Sequence, residues 1–175
     1  MADSSKIGKE YAPVSWEVER GKIREMAKAI GDPNPIYQDR EAAIKEGYKD
    51  IPVTPTFLTV PMMFSTSMPT VINDLKINFL MVLHGEEQYE YYQEIYPGDT
   101  ITAVPKVVNI EEKTNKSGKK MDMVTIELLY KNQRGENVAR ARSLPFVSVG
   151  IASRSSRTSC MPVPRATSTR STRTT

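Results

Sequence analysis

The sequence is poor in the residues that build disulfides and metal sites. Its 175 residues contain one cysteine, Cys160, and one histidine, His84. A single cysteine cannot form an intrachain disulfide, and one His with one Cys falls short of the ligands that a zinc site needs. The sequence also lacks glycine-rich phosphate loops, dinucleotide fingerprints and the serine nucleophile elbow. We therefore expect neither a bound metal nor a cofactor.

Long apolar runs and a basic surface are also missing. No stretch has the length of a membrane span, and no N-terminal run is typical of a signal peptide. The net charge of +3 is concentrated in residues 150–175, which carry five arginines, 12 serines or threonines and no acid. The rest holds 19 basic against 21 acidic residues. We expect a cytoplasmic protein that binds neither membranes nor nucleic acid.

The two ends of the chain differ from the middle. Residues 150–175 have no apolar period, so burial cannot offset their ordering entropy, and we expect a disordered basic tail. A non-native extension and a functional basic arm are both consistent with this composition. Residues 1–10 are polar, and we expect them to be frayed. Residues 11–149 are long enough for one domain with its own core.

Three helices are predicted in the first half of that domain. The first begins near Arg20, carries an apolar stripe and ends at Gly31. Its stripe consists of Ile23, Met26, Ala27 and Ile30. The second begins after Asp39, a suitable N-cap, and stops at Gly47. The third is apolar on nearly every side, which predicts a buried helix beginning between Thr56 and Val60, with residues 65–79 as a connector.

The second half of the domain is predicted to be β-structure. Short turn signals separate segments that are rich in β-branched and aromatic residues, and most are close enough for hairpins. Hairpin connections make neighbouring strands antiparallel. The predicted strands are residues 14–18, 84–95, 100–112, 121–130 and 137–148. The fold class is therefore α+β with one antiparallel sheet.

A stiff polar segment, which we call the elbow, separates the first two helices and contains residues 32–37. Pro33 and Pro35 fix their own φ and push the residues before them, Asp32 and Asn34, out of helical geometry. With Tyr37, the elbow presents a carboxylate, an amide and a phenol within a few positions. In one interpretation the Asp and Asn side chains cap their own backbone. In the other, the elbow is a functional site.

The elbow carries a family resemblance in its motif Gly31-Asp-Pro-Asn-Pro-Ile36. This motif resembles the hydratase motif of MaoC-like proteins, which are (R)-specific enoyl-CoA hydratases and 3-hydroxyacyl dehydratases. With Pro55-Thr-Phe, Leu83-His-Gly-Glu and Pro97-Gly-Asp, the chain resembles a narrower branch, the MaoC-type dehydratase N-terminal domains. That branch includes the substrate-binding subunits of two-subunit hydroxyacyl-ACP dehydratases. The similarity runs from about residue 11 to residue 147.

The resemblance implies a hot-dog fold, in which an antiparallel sheet wraps around one central helix. It also implies an acyl-CoA or acyl-ACP substrate and either a homodimer or a heterodimer with a MaoC-like subunit. In the family the motif continues with a histidine that activates water together with the aspartate. This chain keeps Asp32 but has Tyr37 at the histidine position, and a phenol with a pKa near 10 is a poor base.

The resemblance also assigns roles to other residues. Asn34 and Pro35 of the elbow would contact the substrate, as would Thr56 and Phe57, since an amide at the start of the central helix polarises the thioester carbonyl. His84 lies in the Leu-His-Gly-Glu motif. It is either an ordinary histidine at the start of a strand or a secondary catalytic candidate.

Three hypotheses follow for the function. In the first, Tyr37 orients the substrate while a paired MaoC-like subunit supplies an intact Asp/His set. In the second, the chain is active alone, with Asp32 as the base and Tyr37 or His84 as the acid. In the third, the chain is a hot-dog module that binds acyl thioesters, or has a structural role, without chemistry.

Overall fold

The computed structural model describes residues 2–63, 65–114, 116, 118 and 120–148. The predicted tail at 150–175, with Cys160, lies outside the described residues. Five strands form the sheet: β1 (Val14–Glu17), β2 (Val82–Tyr91), β3 (Thr100–Thr114), β4 (Lys120–Lys131) and β5 (Asn137–Ser148). Every pairing is antiparallel and the order is β1-β3-β4-β5-β2. The predicted antiparallel α+β class is confirmed.

Within the described residues, four α-helices precede β2. They are α1 (Arg20–Ala29), α2 (Arg40–Lys45), α3 (Thr59–Met63) and α4 (Ser67–Asp74). The first two begin and end as predicted: Gly31 follows α1 with a φ of 70°, and the Asp39 carboxylate accepts the N–H of Glu41 at 2.7 Å at the start of α2. Within the described ranges, no helix has both the length and the apolar character needed to cross a membrane.

The predicted connector at residues 65–79 is wrong, because it contains α4. The apolar helix begins within the predicted interval, at Thr59, but α3 ends at Met63. The Ser65 hydroxyl donates to the Met62 carbonyl at 2.9 Å, a local bond that competes with helix continuation. The chain becomes helical again at Ser67, with Pro69 in the first turn, where proline is tolerated.

The core lies between one face of the sheet and the helical half of the chain. Residues on β3 and β4 alternate between buried and partly exposed, so that one face of each strand packs inward. Leu58, just before α3, Val71 of α4 and Leu75, just after α4, are completely buried against this face. The sheet side of the core includes Ile101, Ala103, Val107, Val124, Ile126, Leu128, Tyr130, Ala139 and Ala141.

The expected fraying of residues 1–10 is not observed from residue 2 onward. The N–H of Gly8 donates to the Val107 carbonyl at 2.7 Å, and the N–H of Val107 donates to Lys9 at 3.1 Å. The Tyr11 N–H donates to the Pro105 carbonyl at 2.9 Å. This N-terminal arm therefore lies along β3 just ahead of the point where β1 begins. Composition could not predict this, because backbone atoms make these bonds.

A single carboxylate anchors the same arm to α4. Asp74 accepts hydrogen bonds from the ammonium groups of Lys6 at 3.0 Å and Lys9 at 2.7 Å, and from the Tyr11 hydroxyl at 2.9 Å. These bonds, those from Lys9 and Lys6 first, hold the pKa of Asp74 well below its ordinary value. The deprotonated form of Asp74 is therefore the one that stabilises the docked arm.

Asp74→Asn should loosen the arm without unfolding the domain. We expect faster amide hydrogen exchange at Gly8 in the variant, because the charge that holds Lys6 and Lys9 is lost. The stability difference from wild type should begin to shrink as pH falls below about 4, where the unfolded chain takes up the proton, and should be lost once the pH falls below the lowered pKa of folded Asp74. Glu25→Gln, at an exposed ion pair of α1, is the control. Unchanged exchange at Gly8 in Asp74→Asn would contradict this role.

Candidate functional site

The elbow is held by its own polar side chains. The Asp32 carboxylate accepts the N–H of Asn34 at 2.9 Å, and the Asn34 side-chain oxygen accepts the N–H of Ile36 at 3.2 Å. The second bond caps a short 3₁₀ turn, Pro35–Tyr37. The capping interpretation is therefore correct as a description of local structure. One oxygen of the Asp32 carboxylate accepts the bond from Asn34. The second oxygen forms no hydrogen bond within the described part of the chain.

Tyr37 lies in the elbow, five positions after Asp32. Its side chain is partly buried, and burial is the largest cause of a raised pKa of the phenol. The Asp32 carboxylate, the Tyr48 phenol and the Glu94 carboxylate raise the pKa further. The phenol therefore keeps its proton at neutral pH. It can donate a hydrogen bond, but it cannot take a proton from water as an imidazole would.

An open cleft of about 530 Å³ lies beside the elbow. Its lining combines apolar and polar residues, and consists of Asn34, Pro35, Ile36, Ala42, Lys45, Glu46 and Tyr48. Two of the predicted substrate-binding residues, Asn34 and Pro35, thus share one cavity. Asp32 and Tyr37 belong to the same elbow but do not line this cleft. Sequence reasoning missed the contribution of α2, whose residues face the elbow only after folding.

The predicted residues at the start of α3 lie elsewhere. Thr56 is exposed and Phe57 is buried in the core. The N–H of Phe57 donates to the Thr54 carbonyl at 2.9 Å, so this amide already has an acceptor. The substrate role of these two residues stays a prediction.

Two tyrosines of β2 connect the sheet to this segment. The Tyr89 hydroxyl bonds to the hydroxyl of Thr59, and the Tyr91 hydroxyl donates to the Pro55 carbonyl at 2.9 Å. Their rings stack with centroids 6.3 Å apart, and burial is the main cause of a raised pKa of both phenols. Side chains two positions apart on a strand point to the same face. This spacing is the signal by which the sequence alone places Tyr89 and Tyr91 side by side.

His84 lies near the beginning of β2. Its Nε2 is 2.8 Å from the Glu87 carboxylate and 3.2 Å from the Ser143 hydroxyl. In the described part of the chain, no hydrogen bond or ion pair joins it to the elbow. The predicted site residues therefore fall in three places: the elbow, the start of α3 and the beginning of β2.

Comparison with known proteins identifies the family. Residues 5–141 match the family described as FAS1-like, dehydratase domain region. The chain belongs to this family of dehydratase domains. A relative from Streptomyces avermitilis, a UPF0336 protein, is 34% identical over 140 residues, which cover 79% of this chain and 90% of the relative.

Solved structures confirm the predicted fold. The C-terminally truncated HadBC complex of Mycobacterium tuberculosis, a 3R-hydroxyacyl-ACP dehydratase, matches with a TM-score of 0.69 and 20% identity over 81% of this chain and 96% of that chain. A MaoC-like dehydratase from Rhodospirillum rubrum matches with a TM-score of 0.61 and 20% identity over 81% and 92%. The hot-dog fold and the MaoC-like resemblance are therefore confirmed.

Two substitutions at Asp32 separate its local from its electrostatic role. Asp32→Asn keeps an oxygen that can accept the Asn34 N–H, so we expect a change in unfolding free energy below about 0.5 kcal/mol. Asp32→Ala removes the acceptor and should cost about 1 kcal/mol. The pKa of Tyr37 should fall in both variants, because a nearby negative charge is lost. Denaturant titration and ¹³C NMR of labelled tyrosine measure the two effects. An unchanged pKa of Tyr37 would show that Asp32 does not act on the phenol.

Proposed function

We propose that the chain is the substrate-binding subunit of a hydratase or dehydratase acting on acyl-CoA or acyl-ACP thioesters in the cytoplasm, paired with a catalytic MaoC-like subunit. The observation that carries the proposal is the phenol of Tyr37, whose raised pKa keeps it protonated. Hydration of an α,β-unsaturated thioester needs a base for water, an acid for Cα and a donor to the carbonyl. The elbow of this chain can supply a donor, but it lacks an imidazole base.

The substrate side of the proposal rests on the cleft beside the elbow. Its volume of about 530 Å³ lies within the range of small-molecule sites. Asn34 and Pro35 line it, and we assign them to substrate binding, with Thr56 and Phe57 as further contacts at the start of α3. Asp32 and the Tyr37 phenol would orient the reacting group, while an Asp/His pair of the partner activates water.

The partner side rests on exposed apolar residues at and just before the beginning of β2, which we call the β2 patch and define as Phe79, Leu80 and Leu83. These residues are 69%, 89% and 68% exposed. β2 is an edge strand of the described sheet, with β5 on one side only. Exposed apolar residues beside an open strand edge mark a surface for another subunit. The HadBC structure is itself a complex, which supports a second hot-dog subunit as the occupant.

We predict that the enzymatic activity of this chain depends on its partner subunit. The purified chain should hydrate crotonyl-CoA very weakly, and a MaoC-like subunit with an intact Asp/His motif should restore the rate. Tyr37→His should create activity in the chain alone, because a positioned acid–base group is worth roughly 10²–10⁴-fold. Tyr96→His, outside the elbow, is the matched control.

Two outcomes would decide against this assignment. Wild type that turns over alone and loses its activity in Asp32→Asn would establish the self-sufficient enzyme. Absence of turnover in every combination would favour the third hypothesis, in which the chain binds acyl thioesters without catalysing a reaction. The turnover rate is measured in both cases by following the absorbance of the enoyl thioester.

The assembly prediction concerns the β2 patch. Leu83→Glu places a charge among apolar side chains, and we expect it to weaken association because a buried unpaired charge is costly. Ile44→Glu, at an exposed apolar residue of α2, should leave association unchanged. Sedimentation of the full chain over micromolar concentrations measures both. A wild-type chain that stays monomeric with and without a MaoC-like subunit would contradict the proposed interface.

A further inference from the structure

The cleft beside the elbow adjoins the reacting end of the proposed substrate without containing it. Asp32 and Tyr37, which we assign to the reacting group, do not line the cleft. Asn34 joins the two places, because its N–H donates to the Asp32 carboxylate at 2.9 Å and the same residue lines the cleft. The cleft therefore suits a part of the substrate that does not react. An acyl thioester has two such parts, which are the acyl chain and the arm that carries the sulfur.

The composition of the lining decides between these two parts. The cleft contains the ammonium group of Lys45 and the carboxylate of Glu46, and both residues are exposed. An alkyl chain in the cleft would remove water from both charges without offering either of them a partner, and such desolvation is costly. In return it would gain contacts with only Pro35, Ile36 and Ala42. The cleft is therefore unsuited to the acyl chain.

The hydrogen-bonding groups of the cleft match the carrier arm. The Asn34 side-chain oxygen accepts the N–H of Ile36, which leaves the amide NH₂ as a donor. Within the described ranges, this NH₂ group, the Tyr48 hydroxyl and the Lys45 ammonium form no hydrogen bond or ion pair. The arm shared by coenzyme A and acyl-carrier protein contains amide groups and ends in a phosphate. Amide carbonyls accept from such donors, an amide N–H can donate to Glu46, and a phosphate pairs with a cation.

Lys45 is the cation available for that phosphate. It is the last residue of α2, whereas Asn34 belongs to the elbow, so a ligand that bonds to both of them spans the cleft. Arg40, at the other end of α2, pairs with Asp50 at 3.4 Å and does not line the cleft. The carboxylate of Glu46 follows Lys45 directly and weakens the attraction for an anion, which gives the two residues opposite effects on phosphate binding.

We propose that the cleft binds the phosphopantetheine arm of the substrate rather than its acyl chain, with Lys45 as the contact to the phosphate and Asn34 and Tyr48 as donors to amide carbonyls. The inference rests on the proposed function, which requires an acyl thioester. The arm is common to coenzyme A and acyl-carrier protein, so its chemistry suits either source. The reaction at Cα and Cβ stays with Asp32, Tyr37 and the partner subunit.

Butyryl thioesters test the phosphate contact without turnover, because a saturated chain without a hydroxyl can be neither hydrated nor dehydrated. Isothermal titration calorimetry of the full chain compares butyryl-phosphopantetheine with butyryl-pantetheine, which differ only in the phosphate. We expect wild type to bind the phosphorylated arm about fivefold more tightly, the upper range for an exposed ion pair. Lys45→Met should abolish this ratio, because it removes the charge and keeps the length of the side chain. Lys49→Met, at an exposed lysine outside the lining, is the matched control and should retain it.

Two further variants separate the charge from the hydrogen bonds. Glu46→Gln should raise the ratio, since a negative charge beside the phosphate is lost while an acceptor remains. Tyr48→Phe should weaken the binding of both thioesters equally, by roughly fivefold, because a donor to a carbonyl is lost. Added salt should lower the wild-type ratio, as it screens an exposed ion pair.

The outcomes distinguish the inference from the proposed function. Equal affinities of wild type for the two thioesters, or a ratio that survives in Lys45→Met, would overturn the inference and leave the proposed function intact. Absence of binding of either thioester by the full chain, alone and mixed with a MaoC-like subunit, would instead refute the proposed function. A gain in affinity from butyryl to octanoyl that disappears in Ala42→Gln would place the acyl chain in the cleft and also overturn the inference.

Titration with the complete carriers identifies the source of the arm. Butyryl-CoA and butyryl-acyl-carrier protein are each titrated into wild type and Lys45→Met. The carrier whose binding weakens about fivefold in Lys45→Met is the one that the cleft accepts. Unchanged binding of both carriers in Lys45→Met would overturn the phosphate contact.

Discussion

The packing of one sheet face against the helical half of the chain is the constraint on which the structure depends. Leu58, Val71 and Leu75 are completely buried against the inward residues of β3, β4 and β5. A shift of one residue in strand register would turn every inward side chain outward, so this burial also fixes the ladder. The ladder then ends at β2, whose free edge and apolar neighbours form the β2 patch.

The same constraint separates what the sequence predicts from what it does not. Turn signals between segments rich in β-branched and aromatic residues predicted the strands of the second half, and β5 was predicted with its observed bounds, residues 137–148. The helix α4 was missed because residues 65–79 were interpreted as a connector, although Val71 and Leu75 have the spacing of a buried helical face. The N-terminal arm was missed because its attachment relies on backbone hydrogen bonds and on Asp74.

The candidate site shows a similar division. The local bonds of Asp32 and Asn34 follow from the chemistry of short polar side chains next to proline, and the sequence predicted them. The cleft formed with α2 and the contact between His84 and Glu87 depend on distant packing and on a bulge in β2. Neither leaves a periodic signal. The sequence therefore predicted the local structure of the elbow, but not the residues that surround it in the fold.

The central claim is that this chain works as one half of a mixed pair, because its elbow carries a phenol where a base is required. Native mass spectrometry of the chain mixed with a MaoC-like subunit that has an intact Asp/His motif tests this claim most directly. The account predicts a dominant species with one copy of each chain. Separate species containing only one kind of chain, with no mixed species, would contradict it.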